Sequence, residues 1–413
     1  MRAHPLGAAL LLGFAGLSAP ETSAQAHWPQ FRGADAGRAA PFALPAEASL
    51  KDALWGVDLP GSGHSSPVAW DRRVFVTCAA EEGHRRIVLA LDLASGKELA
   101  RAEFSFEPYK THRLNGFVSS TPSLDAKGIY LAWNEGGRLI ARALDHGLAK
   151  RWELDLGPTA ASHGWGGSGM LLDGTWVLAS DSEAETSFLV GLEASSGKEL
   201  WRRPRTSQRA AFSTPAVWTG PEGQRGVLFG STAHGLTCLN PANGELLWEA
   251  QGLLTQRVVA SPILAGQVAV LTGGQGGGGT EFAAVALPGQ ADAGEVRYAV
   301  RRNLPYVPTP VYGNGRLYLF SDGGIVSALE ASSGEPLWRE RVDGEFFGSP
   351  ILAGDRLYAM TKAGILLVLA ASDSYELIQS LDLGDPSFAT PAVAGVANAV
   401  AVVLASRLPK IVK

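Results

Sequence analysis

A Ser/Thr-Pro pair opening an apolar, β-rich run recurs along this 413-residue chain at nearly constant spacing, and that recurrence constrains the fold more than any other feature. The pairs are Ser66-Pro67, Thr121-Pro122, Thr214-Pro215, Ser261-Pro262, Thr309-Pro310, Ser349-Pro350 and Thr390-Pro391, and a degenerate copy, Ser168-Gly169, fills the one long gap. Successive starts lie 55, 47, 46, 47, 48, 40 and 41 residues apart. A four-stranded meander takes roughly 40–50 residues, so each interval matches one propeller blade. The interior of a repeat has the same form. Residues 315–320 and 325–329 are β-rich runs separated by the tight-turn sequence Ser321-Asp322-Gly323-Gly324, and Ser332-Ser333-Gly334 turns the chain toward Pro336-Leu337-Trp338. The expected fold is an all-β, eight-bladed β-propeller, or seven-bladed if Ser168-Gly169 opens no blade. The composition agrees: 50 Gly and 24 Pro punctuate a chain that is 46% hydrophobic, as many short strands joined by turns require.

A second motif closes most repeats. It reads A-L-D-L-A-S-G-K-E-L-A from Ala90, G-L-E-A-S-S-G-K-E-L-W from Gly191, C-L-N-P-A-N-G-E-L-L-W from Cys238 and A-L-E-A-S-S-G-E-P-L-W from Ala328. The Gly permits a left-handed turn, and the polar residue four before it (Asp92, Glu193, Asn240, Glu330) can bond turn amides. The Trp four after it offers a large apolar face to a neighbouring blade. The last repeat starts at Thr390, close to the end of the chain, and has room for inner strands only. Residues 54–59 (L-W-G-V-D-L) look like its missing outer strand, so the N-terminal side would close the ring and remove its free edges.

Residues 1–26 read as an export signal: Arg2, an apolar run from Leu6 to Leu17 too short to span a bilayer, and the small-x-small site Ala24-Gln25-Ala26. Cleavage after Ala26 would leave a single propeller domain over residues 27–413, periplasmic or secreted, with no transmembrane segment and an expected monomer. The net charge of −5 and the absence of a basic block beyond Arg202, Arg203 and Arg205 argue against nucleic-acid binding. Cys78 and Cys238 fall about three blades apart, beyond disulfide reach, and are expected as free thiols. The glycine run from Gln275 to Thr280 lacks the Lys of a phosphate loop and reads as a hairpin loop of the fifth blade, and no G-x-S-x-G nucleophile signature is present.

The A-x-D-x-x-S/T-G-K-x-x-W pattern resembles the tryptophan-docking motif of the quinoprotein family, which includes pyrroloquinoline-quinone (PQQ)-dependent alcohol dehydrogenases and the non-enzymatic BamB. The opening Trp28-Pro29-Gln30-Phe31-Arg32-Gly33 and the segment from His163 to Gly169 resemble a narrower set of exported PQQ-like repeat proteins of planctomycete type. The resemblance covers nearly all of the chain after residue 26. It implies the propeller fold and, in the dehydrogenases, PQQ held with Ca²⁺ beneath a vicinal Cys-Cys disulfide. This sequence has no adjacent cysteines, no CxxCH haem site and no matching calcium-ligand set, and it lacks the N-terminal lipid-anchor Cys usual in BamB.

The residues preceding each inner strand should crowd the mouth of the central channel. They form a collar of His64, Trp165, Phe212, Tyr306, Phe346, Phe347 and Phe388, joined by two long insertions carrying His112, Arg113, Asn115 and His163, and by Arg257. Such a collar either plugs the channel as core, the preferred reading, or forms a ligand site in which Arg and aromatic faces take a planar anion such as a quinone carboxylate. His64, His112 and His163 have no metal-ligand spacing, so no metal is assigned. The expected function is that of a non-catalytic binding or scaffold protein of the cell envelope, with a protein partner or a small ligand and no cofactor. The alternative is a PQQ- and Ca²⁺-dependent oxidoreductase acting on alcohols or sugars. Convergence of Arg257, Asn115 and His163 on an open pocket would favour that alternative.

Overall fold

A computed structural model describes residues 9–15, 27–44, 48–80, 84–183, 186–207, 209–396 and 399–405. Its strands form eight antiparallel sheets arranged as a β-propeller. Seven sheets have four strands, and one gains a fifth because Arg38–Ala39 pairs in parallel with Ile351–Ala353. Blade 1 shows the common pattern, with strands Val68–Trp70, Arg73–Ala80, Arg85–Asp92 and Glu98–Ser105 in sequential order. Its two middle strands are buried on both faces, because blades stack face to face, and read as nearly continuous apolar runs. The outer strand Glu98–Ser105 alternates between exposed and half-buried positions. Blades 2 to 7 follow over residues 123–158, 170–205, 216–250, 263–298, 311–341 and 351–382.

The recurrent starts form a hydrogen-bonded girdle around the channel. Each hydroxyl accepts the backbone N–H of the preceding start: Ser66 N–H to Thr121 Oγ1 (3.0 Å) and Thr121 N–H to Ser168 Oγ (2.9 Å). The series resumes from Ser261 to Thr309, Thr309 to Ser349 and Ser349 to Thr390. Thr390 N–H then bonds Ser66 Oγ at 3.0 Å, which closes the circle. A hydroxyl is required at each place, whereas the following Pro is not. Ser168 therefore performs this role although Gly169 follows it.

The closing motif works between blades. The Trp55 indole N–H donates to Leu93 O, Trp152 to Ala194 O, Trp201 to Pro241 O and Trp338 to Ser372 O, and the Tyr298 hydroxyl bonds Ala331 O. Four of these rings lie flat against the turn glycine of the next blade: Trp55 on Gly96, Trp152 on Gly197, Trp201 on Gly244 and Tyr298 on Gly334. Each of these glycines has positive φ, between +67° and +76°. Asp92 and Asn240 accept turn N–H groups, as their positions suggested. Both cysteines are free and buried, and burial pushes each thiol up to about 12. The glycine run forms the hairpin between Val268–Gln275 and Gly278–Ala286.

In the closing blade, Ala53–Leu59 is the outer strand, as its sequence suggested. The third strand is Ala9–Ala15, paired antiparallel with Ala53–Leu59 on one side and Ala399–Ala405 on the other. The sequence reading set this stretch aside as part of an export signal. The last repeat brings only Ala392–Val396 and Ala399–Ala405, and an apolar run with strand geometry satisfies the two edges that remain. The expected cleavage site at Ala24–Ala26 lies outside the described residues.

Candidate functional site

One end of the channel is closed by the segment beginning at Trp28. Trp28 bridges Ala69 of blade 1, Pro29 O accepts from Leu124 N–H of blade 2, and Gln30 Oε1 accepts from Leu171 N–H of blade 3. Arg32 then reaches Pro310 O of blade 6, Gly37 O bonds Leu352 N–H of blade 7, and the Tyr358 hydroxyl bonds Phe42 O. The W-P-Q-F-R-G motif is therefore a strap across the channel. Phe31 lines the cavities on both of its sides and so divides them.

The opposite end holds a cavity of about 630 Å³. Seven of the eight start residues line it, which places it on the propeller axis. His64, His112, Arg113, Asn115, His163, Arg257, Tyr306 and Phe347 all line it, with Phe212 and Phe388. Trp165 does not. It is 3% exposed and packs with Tyr130 and Trp176 between blades 2 and 3, where a large indole removes more apolar surface from water than at a wet mouth. Phe346 is likewise core. The collar is thus part filling and part wall, and the channel mouth is open.

The two insertions meet. Asn115 Nδ2 donates to His163 O (2.7 Å), His112 N–H to the same carbonyl (3.1 Å), and the two imidazoles lie 5.1 Å apart. Arg257 joins them from blade 5. Its Nη1 is 3.1 Å from His163 Nε2, its Nη2 donates to Glu183 Oε1 (3.0 Å), and its Nε donates to Ala210 O (3.1 Å). Since guanidinium only donates, His163 Nε2 is the acceptor and its Nδ1–H faces Ser162 Oγ at 2.9 Å. Burial and then the Arg257 charge hold His163 below the usual imidazole range, and burial with the Arg113 charge does the same to His112. Burial acts to raise Glu183, but hydrogen bonds from Ser162 and the charge of Arg257 outweigh it and keep the carboxylate ionised.

The other wall differs. His64 is 8% exposed, packed against Phe388 (4.9 Å) and Phe347 (5.9 Å), and neither ring nitrogen has a partner. Burial pushes its pKa down to about 4. Beside it stands Asp322, whose carboxylate accepts Tyr306 N–H (2.7 Å) and Val307 N–H (3.2 Å), yet burial pushes it up to about 6. Lys362 lines the same wall, one blade further on, and pairs with Glu345 at 2.9 Å. Asp322 and Lys362 occupy equivalent turns, each following a hydroxyl residue that bonds back into its hairpin. Sequence reading took Ser321-Asp322-Gly323-Gly324 for a turn only. The one available signal was a charged residue at the channel end of that turn in two successive repeats. His64 does not approach His112 and His163 as a third metal ligand, and among the described residues no three His, Cys, Asp or Glu side chains form a group suited to a metal.

A family model described as outer membrane protein assembly factor BamB matches residues 46–220, 187–290 and 297–404. Among solved structures, BamB from Moraxella catarrhalis aligns with 82% of this chain and 93% of its own at 15% identity and a TM-score of 0.59. A europium-containing methanol dehydrogenase aligns with 83% of each chain at 10% identity and a TM-score of 0.61. Quinohemoprotein alcohol dehydrogenase from Comamonas testosteroni covers 85% of this chain and 76% of its own at 12% identity and a TM-score of 0.59. No curated protein matches the sequence. At such identities the structures speak for the fold, and the family model, spanning most of the chain, assigns this protein to the BamB-like family of PQQ-repeat β-propellers.

Proposed function

We propose that this protein is an exported binding propeller of the cell envelope that captures a small, flat anion at the open mouth of its channel and performs no chemistry on it. The cavity carries this reading: Arg113, Arg209, Arg257 and Lys362 line it against a single carboxylate, Asp322, and its walls are aromatic. Guanidinium groups and ring faces suit carboxylates on a planar ligand. Arg257 is held by three contacts, so it is pre-positioned rather than mobile. The export assignment rests on residues 1–26 and on the BamB-like family, and among the described residues no helix is long and apolar enough to cross a membrane.

Convergence of Arg257, Asn115 and His163 supports the second reading, a quinone-dependent oxidoreductase. The residues fit half of its cofactor. The cations and rings suit the carboxylates and flat rings of PQQ. Calcium takes about 6–8 oxygen ligands, whereas Asp322 is the one carboxylate in this wall and already accepts two backbone N–H groups. No catalytic step is therefore derived through a Ca²⁺–quinone pair. Titrating the protein with PQQ, with and without Ca²⁺, separates the readings. Calcium-independent quenching of quinone fluorescence, weakened about ten-fold or more by Arg257→Gln, supports the binding propeller. Calcium-dependent dye reduction with alcohols or sugars would replace it with the enzyme, and absence of binding by any flat polycarboxylate would remove the ligand site.

A further inference from the structure

The strap leaves one part of the channel's closed end uncovered. It bonds to blades 1, 2, 3, 6 and 7, and beside blades 4 and 5 a second cavity of about 130 Å³ remains. A liquid water occupies about 30 Å³, so this space matches a tetrahedral oxyanion in size. Its wall includes Arg32, 2% exposed, whose Nη2 donates to Pro310 O (2.7 Å) while its Nε has no acceptor. No carboxylate pairs with it. Asp35 and Arg38 also line the cavity, but they bond each other and both are exposed. Ser261, from blade 5, lines the same space with a buried hydroxyl that has no partner. A buried cation without a counter-charge is strongly unfavourable, and so is each orphaned donor. The backbone is arranged to keep the guanidinium there: Arg32 has φ +62°, Gly33 follows at φ +71° against the Trp28 ring, and Gly37 at φ +91° lies on the guanidinium itself. Strain of this kind is retained where the surroundings over-determine it and is concentrated at functional sites.

We propose that this cavity is an anion site in which Arg32 Nε–H and the Ser261 hydroxyl bind a tetrahedral oxyanion of the phosphate or sulfate class. The site is separate from the channel mouth, since Phe31 stands between the two cavities. Burial pushes the Arg32 guanidinium down to about 9, in keeping with a cation that has no protein counter-charge. The test is thermal unfolding and calorimetric titration of the full chain with sulfate, phosphate and chloride at matched ionic strength. The expected result is saturable stabilisation by sulfate and phosphate and none by chloride. Arg32→Gln should abolish saturation, Ser261→Ala should weaken it about ten-fold, and Arg257→Gln should leave it unchanged. Equal responses to sulfate and chloride would overturn the proposal, as would a saturable response that survives Arg32→Gln. If Arg32→Gln does not fold, Ser261→Ala decides: an unchanged Kd overturns the site.

Discussion

At the residue scale, two kinds of position carry most of the information. The first is the turn glycine beneath a docked ring. A Cβ at Gly244 would stand 2.7 Å from the Trp201 ring, and its φ of +71° disfavours any L side chain. Gly244→Ala should therefore cost about 2–4 kcal/mol, read as a lower urea midpoint, and an unchanged midpoint would show that the ring does not dock there. The second is the pair of titrating groups facing the mouth. Asp322, raised to about 6, binds a proton more readily folded than unfolded, so its contribution to stability falls as pH rises from about 4 to 6. His64, lowered to about 4, stays neutral when folded, so its contribution rises as pH climbs from about 4 to 6.5. In the native chain the two slopes oppose each other. Asp322→Asn should expose a steep gain in melting temperature between pH 4 and 6.5, and His64→Phe should expose a loss over pH 4 to 6. Parallel pH profiles for both variants would contradict the assignment.

At the scale of the element, the seams between blades are not equivalent. Between blades 1 and 2, where Ala100 stands in the Trp place, Phe104 packs edge-on to Trp133, and Arg86 and Arg142 share Glu135 beneath these rings. Nothing comparable repairs the seam between blades 4 and 5. Trp248 packs on Trp218 but its indole N–H has no partner. Four buried hydroxyls at this seam, on Ser213, Ser231, Ser261 and Thr272, are also unpartnered. Orphaned polar groups weaken an interface, so this seam should open first. Hydrogen exchange followed by mass spectrometry should show residues 226–231 and 263–271 exchanging faster than their equivalents in blades 6 and 7. Uniform protection around the ring would refute this. The repeat spacing located every blade but could not grade the seams, because a seam's strength depends on which side chains meet across it.

For the whole molecule, closure is the governing problem. A ring propagates its edges until the last blade meets the first, and here the join uses Thr390 with Ser66, Trp55 with Leu93, and the interleaved strands Ala9–Ala15 and Ala53–Leu59. A chain beginning at His27 lacks the third strand of the closing sheet. Compared with the full chain, it should show faster amide exchange in residues 53–59 and 399–405 and a lower melting temperature, with blades 2 to 6 unaffected. Identical exchange in the two chains would mean that the strand contributes nothing to closure. The same comparison by intact mass on exported protein shows which form the cell envelope holds.

The starts and the docking motif determined the propeller from sequence alone, because each repeat encodes its local hairpins, its girdle hydroxyl and its docking residue within some fifty positions. The candidate mouth was legible to the same degree: eight of nine named residues line the cavity, since residues before each inner strand must face the axis. What the sequence could not settle depends on distance across the ring. Trp165 turned into a seam, Asp322 and Lys362 turned out to face the mouth, and the W-P-Q-F-R-G segment became a strap that leaves Arg32 buried without a counter-charge. None of these follows from a repeat, because each is decided by groups far apart in the chain that only the closed ring brings within a few ångströms.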